Sequence, residues 1–173
     1  FRPFYQNIEH LKNLGFFQRD PEFFFDQFKM EAEDSQKTLN FIYAINHIAK
    51  HNNGFDIVLR PHPVENIDAW KIFLEDIPNV FVNNNHSITP WINNSFAIMH
   101  NSCTSAIEAT ISGKPIITYT PFDQKYFREI PNELGYKVKT LEKLSETVKT
   151  LFNERKLEST LFLISFGQQY LQA

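Results

Sequence analysis

Two short stretches of this chain carry residue types suited to holding an anion. The first is Arg60-Pro61-His62-Pro63, which closes the apolar run FDIVLR. Its two prolines restrict the backbone on either side of His62. An imidazole fixed in that way can donate to a phosphate oxygen and is readily charged beside an anion. Arg60 can pair with a phosphate or with an internal carboxylate such as Glu108. A rigid turn carrying a surface histidine accounts for the same residues. The second stretch is NSCTSAIEA, residues 101–109. It places Ser102, Thr104 and Ser105 where a short helix starts. Helix starts expose unpaired N–H groups and a partial positive charge, and phosphates bind there. Glu108 follows Thr104 by four residues, so its carboxylate lies one turn behind the anion site and can accept from both hydroxyls of a ribose. A Ser or Thr N-cap with Glu108 offsetting the helix dipole explains the same spacing. Cys103, Ile107 and Ile111, each four apart, read as the stripe that faces the sheet. His100, at the end of the preceding apolar run, either lines the same pocket or is a satisfied structural histidine.

Other chemistries lack their signatures. The chain has no GxGxxG and no GxxxxGK[ST]. It has no HExxH, no Cys/His ligand spacing and no Asp-x-Asp pair, so neither a metal nor a bound cofactor is expected. There is no GxSxG elbow, and Cys103 reads as a packing residue rather than a nucleophile. Trp70 and Trp91 read most simply as core.

The elements that must position these residues alternate. Residues 1–32 form an aromatic-rich lead-in with no strict period. Residues 33–52 read as a helix with the stripe Leu39, Ile42, Ile45 and Ile48, widened by Tyr43 and Ala49, and with Asn52, Asn53 and Gly54 as its stop. FDIVLR is a short buried strand. A helix over 65–76 follows, with Trp70, Phe73 and Leu74 on one side, then strand NVFV. Ser87 is the N-cap of a short helix, with Pro90 in its first turn. Strand FAIMH, a helix over 103–112, strand PIITY, short strand YKVK and a helix near 141–153 complete the pattern. Residues 154–173 read as a helical tail. The alternation predicts an α/β fold, a Rossmann-like three-layer α/β/α domain over 33–153 with a mainly parallel sheet of about five strands. In such sheets ligands bind beyond the carboxyl ends of the strands. RPHP, HNSCTS and TPF all fall at such ends.

The bulk properties agree with this class. A chain of 173 residues suggests one domain with a real core, and 42% apolar with 21% charged residues is ordinary for a globular protein. A net charge of -3 without a Lys/Arg run argues against a nucleic-acid surface. No apolar run approaches the length of a membrane helix. The single cysteine fits a reducing cytoplasm. Because the chain opens on Phe1 rather than Met, it is expected to be one part of a larger protein.

The order of three runs adds a resemblance: IVLRPHPVENIDAW, then SITPWINNSFAIMHNSCTSAIEATISGKPIITYTPF, then REIPNELGYKVKTLEKL. Over about residues 33–150 the chain resembles the carboxyl-terminal half of bacterial surface-carbohydrate biosynthesis proteins, which look like GT-B glycosyltransferases. More distant likenesses are the hydrolysing sugar-nucleotide 2-epimerases, the CDP-glycerol glycerophosphotransferases, and the Kdo and sialic acid transferases with a His-Pro motif. The resemblance implies a domain that holds a nucleotide sugar as donor substrate. It would place His62, Ser102, Thr104 and Ser105 on the phosphate and Glu108 on the ribose, with Arg60 and His100 remaining phosphate-side candidates from the residues themselves. Ser87, Ile88 and Trp91 would frame the base. The acceptor contacts and catalytic base would come from an N-terminal Rossmann-like half outside this chain, so the isolated chain is expected to bind without turnover. Where the epimerase pattern has glycines after its serine, this chain has Cys103 and Thr104. The alternatives on the same fold are an epimerase-like or glycerophosphotransferase-like enzyme and a non-catalytic binding module.

Overall fold

The computed structural model describes residues 4–51, 54–63, 65–126, 129–155 and 159–166. Asn52 and Asn53, read above as part of a helix stop, lie outside them. The described strands are β1 (Asp56–Arg60), β2 (Val80–Val82), β3 (Ser95–Asn101), β4 (Ile116–Tyr119), β5 (Tyr136–Val138) and β6 (Leu161–Phe166). They form one sheet of order β2-β1-β6-β3-β4-β5, with every pairing parallel. The helices are α1 (Phe4–Asn13), α2 (Phe16–Arg19), α3 (Pro21–His51), α4 (Ile67–Leu74), α5 (Ile88–Asn94), α6 (Ser105–Ile111), α7 (Glu129–Asn132) and α8 (Leu141–Asn153). The fold class is the expected one, with six strands rather than about five.

Side chains alternate across the sheet, as a pleated strand requires. Ile57, Leu59, Phe162, Ile164 and Ile117 enter the core under α3, α4 and α8. Val58, Ile98, Leu163 and Ile116 enter a smaller core under α5 and α6. Phe96 and Ala97 break the alternation by entering the same core. The register between β3 and β6 slips between Ser95 and Ala97, and this bulge turns both residues to one side.

Four readings of the sequence need correction. Within the expected helical tail of 154–173, residues Leu161–Phe166 are instead the central strand β6, paired with β1 on one side and β3 on the other. A short, continuous apolar run suits either a buried helix or a buried strand. Here the open ladders of β1 and β3 decide for the strand. The boundary at residue 32 is also absent: α3 runs unbroken from Pro21 through the supposed lead-in. Its buried stripe is Phe41, Ile42, Ala44, Ile45 and Ile48, whereas Leu39 and Tyr43 face outward at 48% and 56% exposure. A three-residue step drifts off a 3.6-residue period within two turns, which is why Leu39 leaves the stripe. Finally, α6 faces the sheet with Ala106 and Ala109, not with Ile107 and Ile111, which are exposed. Alanines let this short helix approach β3 closely. The helix ends in a Schellman motif: Lys114 N–H bonds Ala109 O at 2.9 Å and Gly113 N–H bonds Thr110 O at 3.0 Å. Gly113 takes the left-handed conformation the motif needs, at φ 65°.

Strand order explains where a site can form. From β1 the chain moves outward to β2, then crosses to β3 and continues outward to β4 and β5, while β6 closes the middle. The loops after β1 and β3 therefore diverge to opposite sides and leave a crevice above β6, as at the switch point of other open α/β sheets.

Candidate functional site

A cavity of about 360 Å3 occupies that crevice. After β1 it is lined by Arg60, Pro61, His62 and Pro63; after β2 by Asn84, His86, Ser87 and Ile88; after β3 by Cys103, Thr104, Ser105 and Glu108; and Ser165 of β6 forms part of its wall. Seven of the ten residues singled out from sequence thus meet in one cavity, and Trp91, Ser102 and His100 do not line it.

The β3 side is shaped by a strained corner. Ser102 has φ 56°, a left-handed conformation that a residue with a Cβ adopts only when its surroundings impose it. Buried Asn132 imposes it: its Oδ1 accepts the Ser102 N–H at 2.7 Å and its Nδ2 donates to Ser102 Oγ at 3.1 Å. Ser102 Oγ in turn donates to Asn101 Oδ1 at 3.0 Å, and Asn101 Nδ2 donates to Tyr119 O at 2.9 Å. Ser102 is 2% exposed and is engaged on all sides, so its expected place on a phosphate is corrected to a structural one. The corner throws the next residues into the cavity. Thr104 is exposed and makes no side-chain cap bond to α6. Ser105 is buried and donates its hydroxyl proton to Cys103 Sγ at 3.0 Å, and Cys103 Sγ lies 3.3 Å from Ser165 Oγ. Cys103 accordingly packs at the cavity wall within a hydroxyl–thiol chain. Glu108 is exposed and accepts the Thr89 hydroxyl at 3.1 Å, bridging α6 to α5.

His100 is also corrected to a structural residue. It is fully buried, and its Nε2 lies 2.8 Å from Thr118 Oγ1. The one proton of Thr118 goes to Leu134 O at 2.6 Å. His100 Nε2 must therefore be the donor, and Nδ1 carries a lone pair with no partner. Burial holds its pKa down, at about 4. A neutral imidazole facing Leu134 and Thr118 cannot serve a phosphate in the crevice.

The β1 side is built from charge. Arg60 is 8% exposed, and its guanidinium donates to the carbonyls of Asn85 at 2.7 Å and His86 at 2.9 Å. It also lies 5.6 Å from the Trp91 ring centroid, and the Trp91 indole donates to Asn85 O at 3.1 Å. The guanidinium thus shapes the β2–α5 loop from the cavity wall, and among the described residues no ion pair joins it to Glu108. Trp91 stands behind Arg60 rather than at the cavity, which leaves Ser87 and Ile88 as the wall there. His86 carries the second strained backbone of the site, at φ 62°, held by its carbonyl's bond to Arg60. His62 is half-buried at the cavity.

No protein-family model matches this chain, and neither a curated protein nor a solved structure matches it. What the site can do therefore follows from its own groups. Donors suited to an anion, the His62 imidazole and the Thr104 hydroxyl at the start of α6, line the cavity together with a carboxylate acceptor, Glu108. Among the described residues no group of three or more His, Cys, Asp or Glu is arranged to hold a metal. No helix there is long and apolar enough to cross a membrane.

Sequence reading missed Asn101, Asn132 and Glu65. Asn132 lies thirty positions from Ser102, and no local pattern links the two. Glu65 sits just before Asn66, whose side chain caps α4 by accepting from Asp68 N–H at 2.9 Å. An acid in that position ordinarily faces water, so its burial left no mark in the sequence.

Proposed function

We propose that this chain is the nucleotide-sugar-binding half of a GT-B-like glycosyltransferase acting at the cytoplasmic side in bacterial surface polysaccharide synthesis. The single observation that carries the reading is the meeting of His62, Thr104 and Glu108 in one crevice above β6. The order of motifs set out above supplies the reaction class. In this reading His62 and Thr104 donate to the diphosphate. Glu108 accepts from the ribose diol, and the Thr89 hydroxyl holds its carboxylate in place. Ser87 and Ile88 flank the base. As the glycosidic bond breaks, negative charge grows on the departing nucleotide phosphate. The donors that hold it then bind more tightly, which lowers the barrier to transfer. The acceptor and its catalytic base belong to a second Rossmann-like half, so the domain by itself binds donor without turnover.

Calorimetric titration of the folded chain with CMP, CDP and UDP tests this. Binding of at least one of them is expected, weakened by both His62→Ala and Glu108→Gln. The absence of heat with all three would falsify the nucleotide reading. Transfer catalysed by the isolated chain would refute the assignment of the catalytic base to another half.

A further inference from the structure

The loop that carries His62 is closed by an acid. Glu65 is 6% exposed. Its Oε2 accepts the His62 backbone N–H at 2.7 Å, and its Oε1 accepts the Trp70 indole N–H at 3.4 Å. The Glu65 N–H returns a bond to the His62 carbonyl at 2.8 Å, so residues 62 and 65 are locked in both directions. Behind the acid stands α3, where Lys37 is 1% exposed and bonded to Asp34 at 2.5 Å. Burial raises the Glu65 pKa; the His62 N–H, the Trp70 N–H and the Lys37 charge oppose that rise. A tight turn does not need any of this. Ser, Asn or Asp closes such turns locally and in contact with water. A buried carboxylate instead costs several kcal/mol of desolvation and survives only with excellent partners. What it adds is a strong, charge-assisted grip on one particular backbone amide, and that amide belongs to the histidine at the cavity.

We propose that Glu65 is a positioning residue for His62: its carboxylate fixes the His62 backbone so that the imidazole stays at the crevice, and losing the carboxylate's charge weakens anion binding there. The binding half of this inference rests on the nucleotide reading above; the positioning half does not. The described groups that act on the acid are His62 on its own loop, Trp70 of α4 and Lys37 of α3. Lys37 is in turn held by Asp34. Protonation of Glu65 turns a charge-assisted bond into a neutral one of about half the strength. The hold on His62 therefore slackens on the acid side, beginning above the ordinary glutamate range because burial raises the pKa.

The test uses the full chain labelled with 15N and with 13C at the glutamate carboxyls, titrated from neutral pH into acid. The His62 amide proton is expected to show a step that coincides with the Glu65 carboxyl signal and lies above the ordinary glutamate value. In Glu65→Gln that step disappears. The same variant is expected to bind CMP, CDP or UDP about tenfold more weakly at pH 7. An amide that ignores the Glu65 carboxyl, or an acid step that survives in Glu65→Gln, overturns the proposal. Unchanged affinity in a variant whose His62 amide has moved does so too. If the variant does not fold, the co-titration in the wild-type chain still decides. If the wild-type chain binds no nucleotide, the functional reading fails, and that co-titration judges the positioning role independently.

Discussion

The two walls of the crevice reach the same end by different physics. The β1 wall is held by charge: Arg60 on the carbonyls of Asn85 and His86, and Glu65 on the His62 N–H with Lys37 behind it. The β3 wall is held by neutral amides and hydroxyls, with Asn132 clamping Ser102 and an uncharged His100 beneath. Each design suits its place. The β1 loop is short and fixed by prolines, so a single strong acceptor suffices. The β3 corner is backbone-strained, and only a group that satisfies both the N–H and the hydroxyl of Ser102 keeps it closed. The difference predicts opposite responses to acid. Proton uptake by His100 works against the fold, whereas proton uptake by Glu65 works for it.

The largest effect is expected from His100. Its folded pKa of about 4 lies below the ordinary value of 6.5, so the folded state takes up fewer protons between these limits. Its contribution is fully present above pH 6.5 and is lost as pH falls toward 4, amounting to about 3 kcal/mol. Urea unfolding across that interval measures it. His100→Leu should flatten the loss, at the expense of about 1 kcal/mol at neutral pH for the bond to Thr118. An unchanged acid profile in this variant would remove His100 from the account of the β3 wall.

Next comes Asn132→Ala. It strands the buried N–H of Ser102 and removes one donor from its hydroxyl, which keeps its bond to Asn101, while the strained backbone remains; about 2 to 3 kcal/mol of stability should go with it. Chemical denaturation gives the number. A loss below 0.5 kcal/mol, the usual scale of surface substitutions, would mean that the corner holds itself.

Smaller still is a contrast in nucleotide affinity between cavity and corner. His62→Ala and Glu108→Gln should each weaken binding about tenfold, corresponding to about 1.4 kcal/mol. Ser102→Ala should lower stability and leave affinity within about twofold, because its hydroxyl is directed into the corner. If Ser102→Ala instead loses affinity as His62→Ala does, the correction of Ser102 to a structural residue is wrong.

The smallest effect is the stability change in Glu65→Gln at pH 7. Because burial raises the acid's pKa, the folded state holds its proton more firmly than the unfolded chain does. That contribution is present below the unfolded pKa and is lost as pH rises through the folded one. At neutral pH the ionised form therefore carries a desolvation cost that glutamine escapes, and this offsets the lost grip on His62. Thermal unfolding should shift by less than about 1 kcal/mol. A loss of several kcal/mol would make Glu65 a residue of stability rather than of positioning.

Much of this was legible in the sequence, and the reason is local. Alternating helices and short apolar runs announce a parallel α/β sheet, and prolines and small polar residues mark the strand ends where ligands collect. That alone places RPHP and CTSAIE at strand ends on the same edge of the sheet. The fate of each polar side chain depended on distant partners. Ser102 and Thr104 look equivalent in NSCTS, yet Asn132 takes one and leaves the other at the cavity. Arg60 looks free for a ligand in RPHP, yet the β2–α5 loop carbonyls engage its guanidinium. The run LFLISF becomes a central strand because β1 and β3 leave open ladders on both sides of it, and the chain can satisfy those ladders only through contacts more than fifty residues apart. Short-range pattern thus determined which elements exist and where a site can lie. The tertiary structure decided which groups remain available to a ligand, because buried hydrogen-bonding partners are chosen by proximity in space and not along the chain.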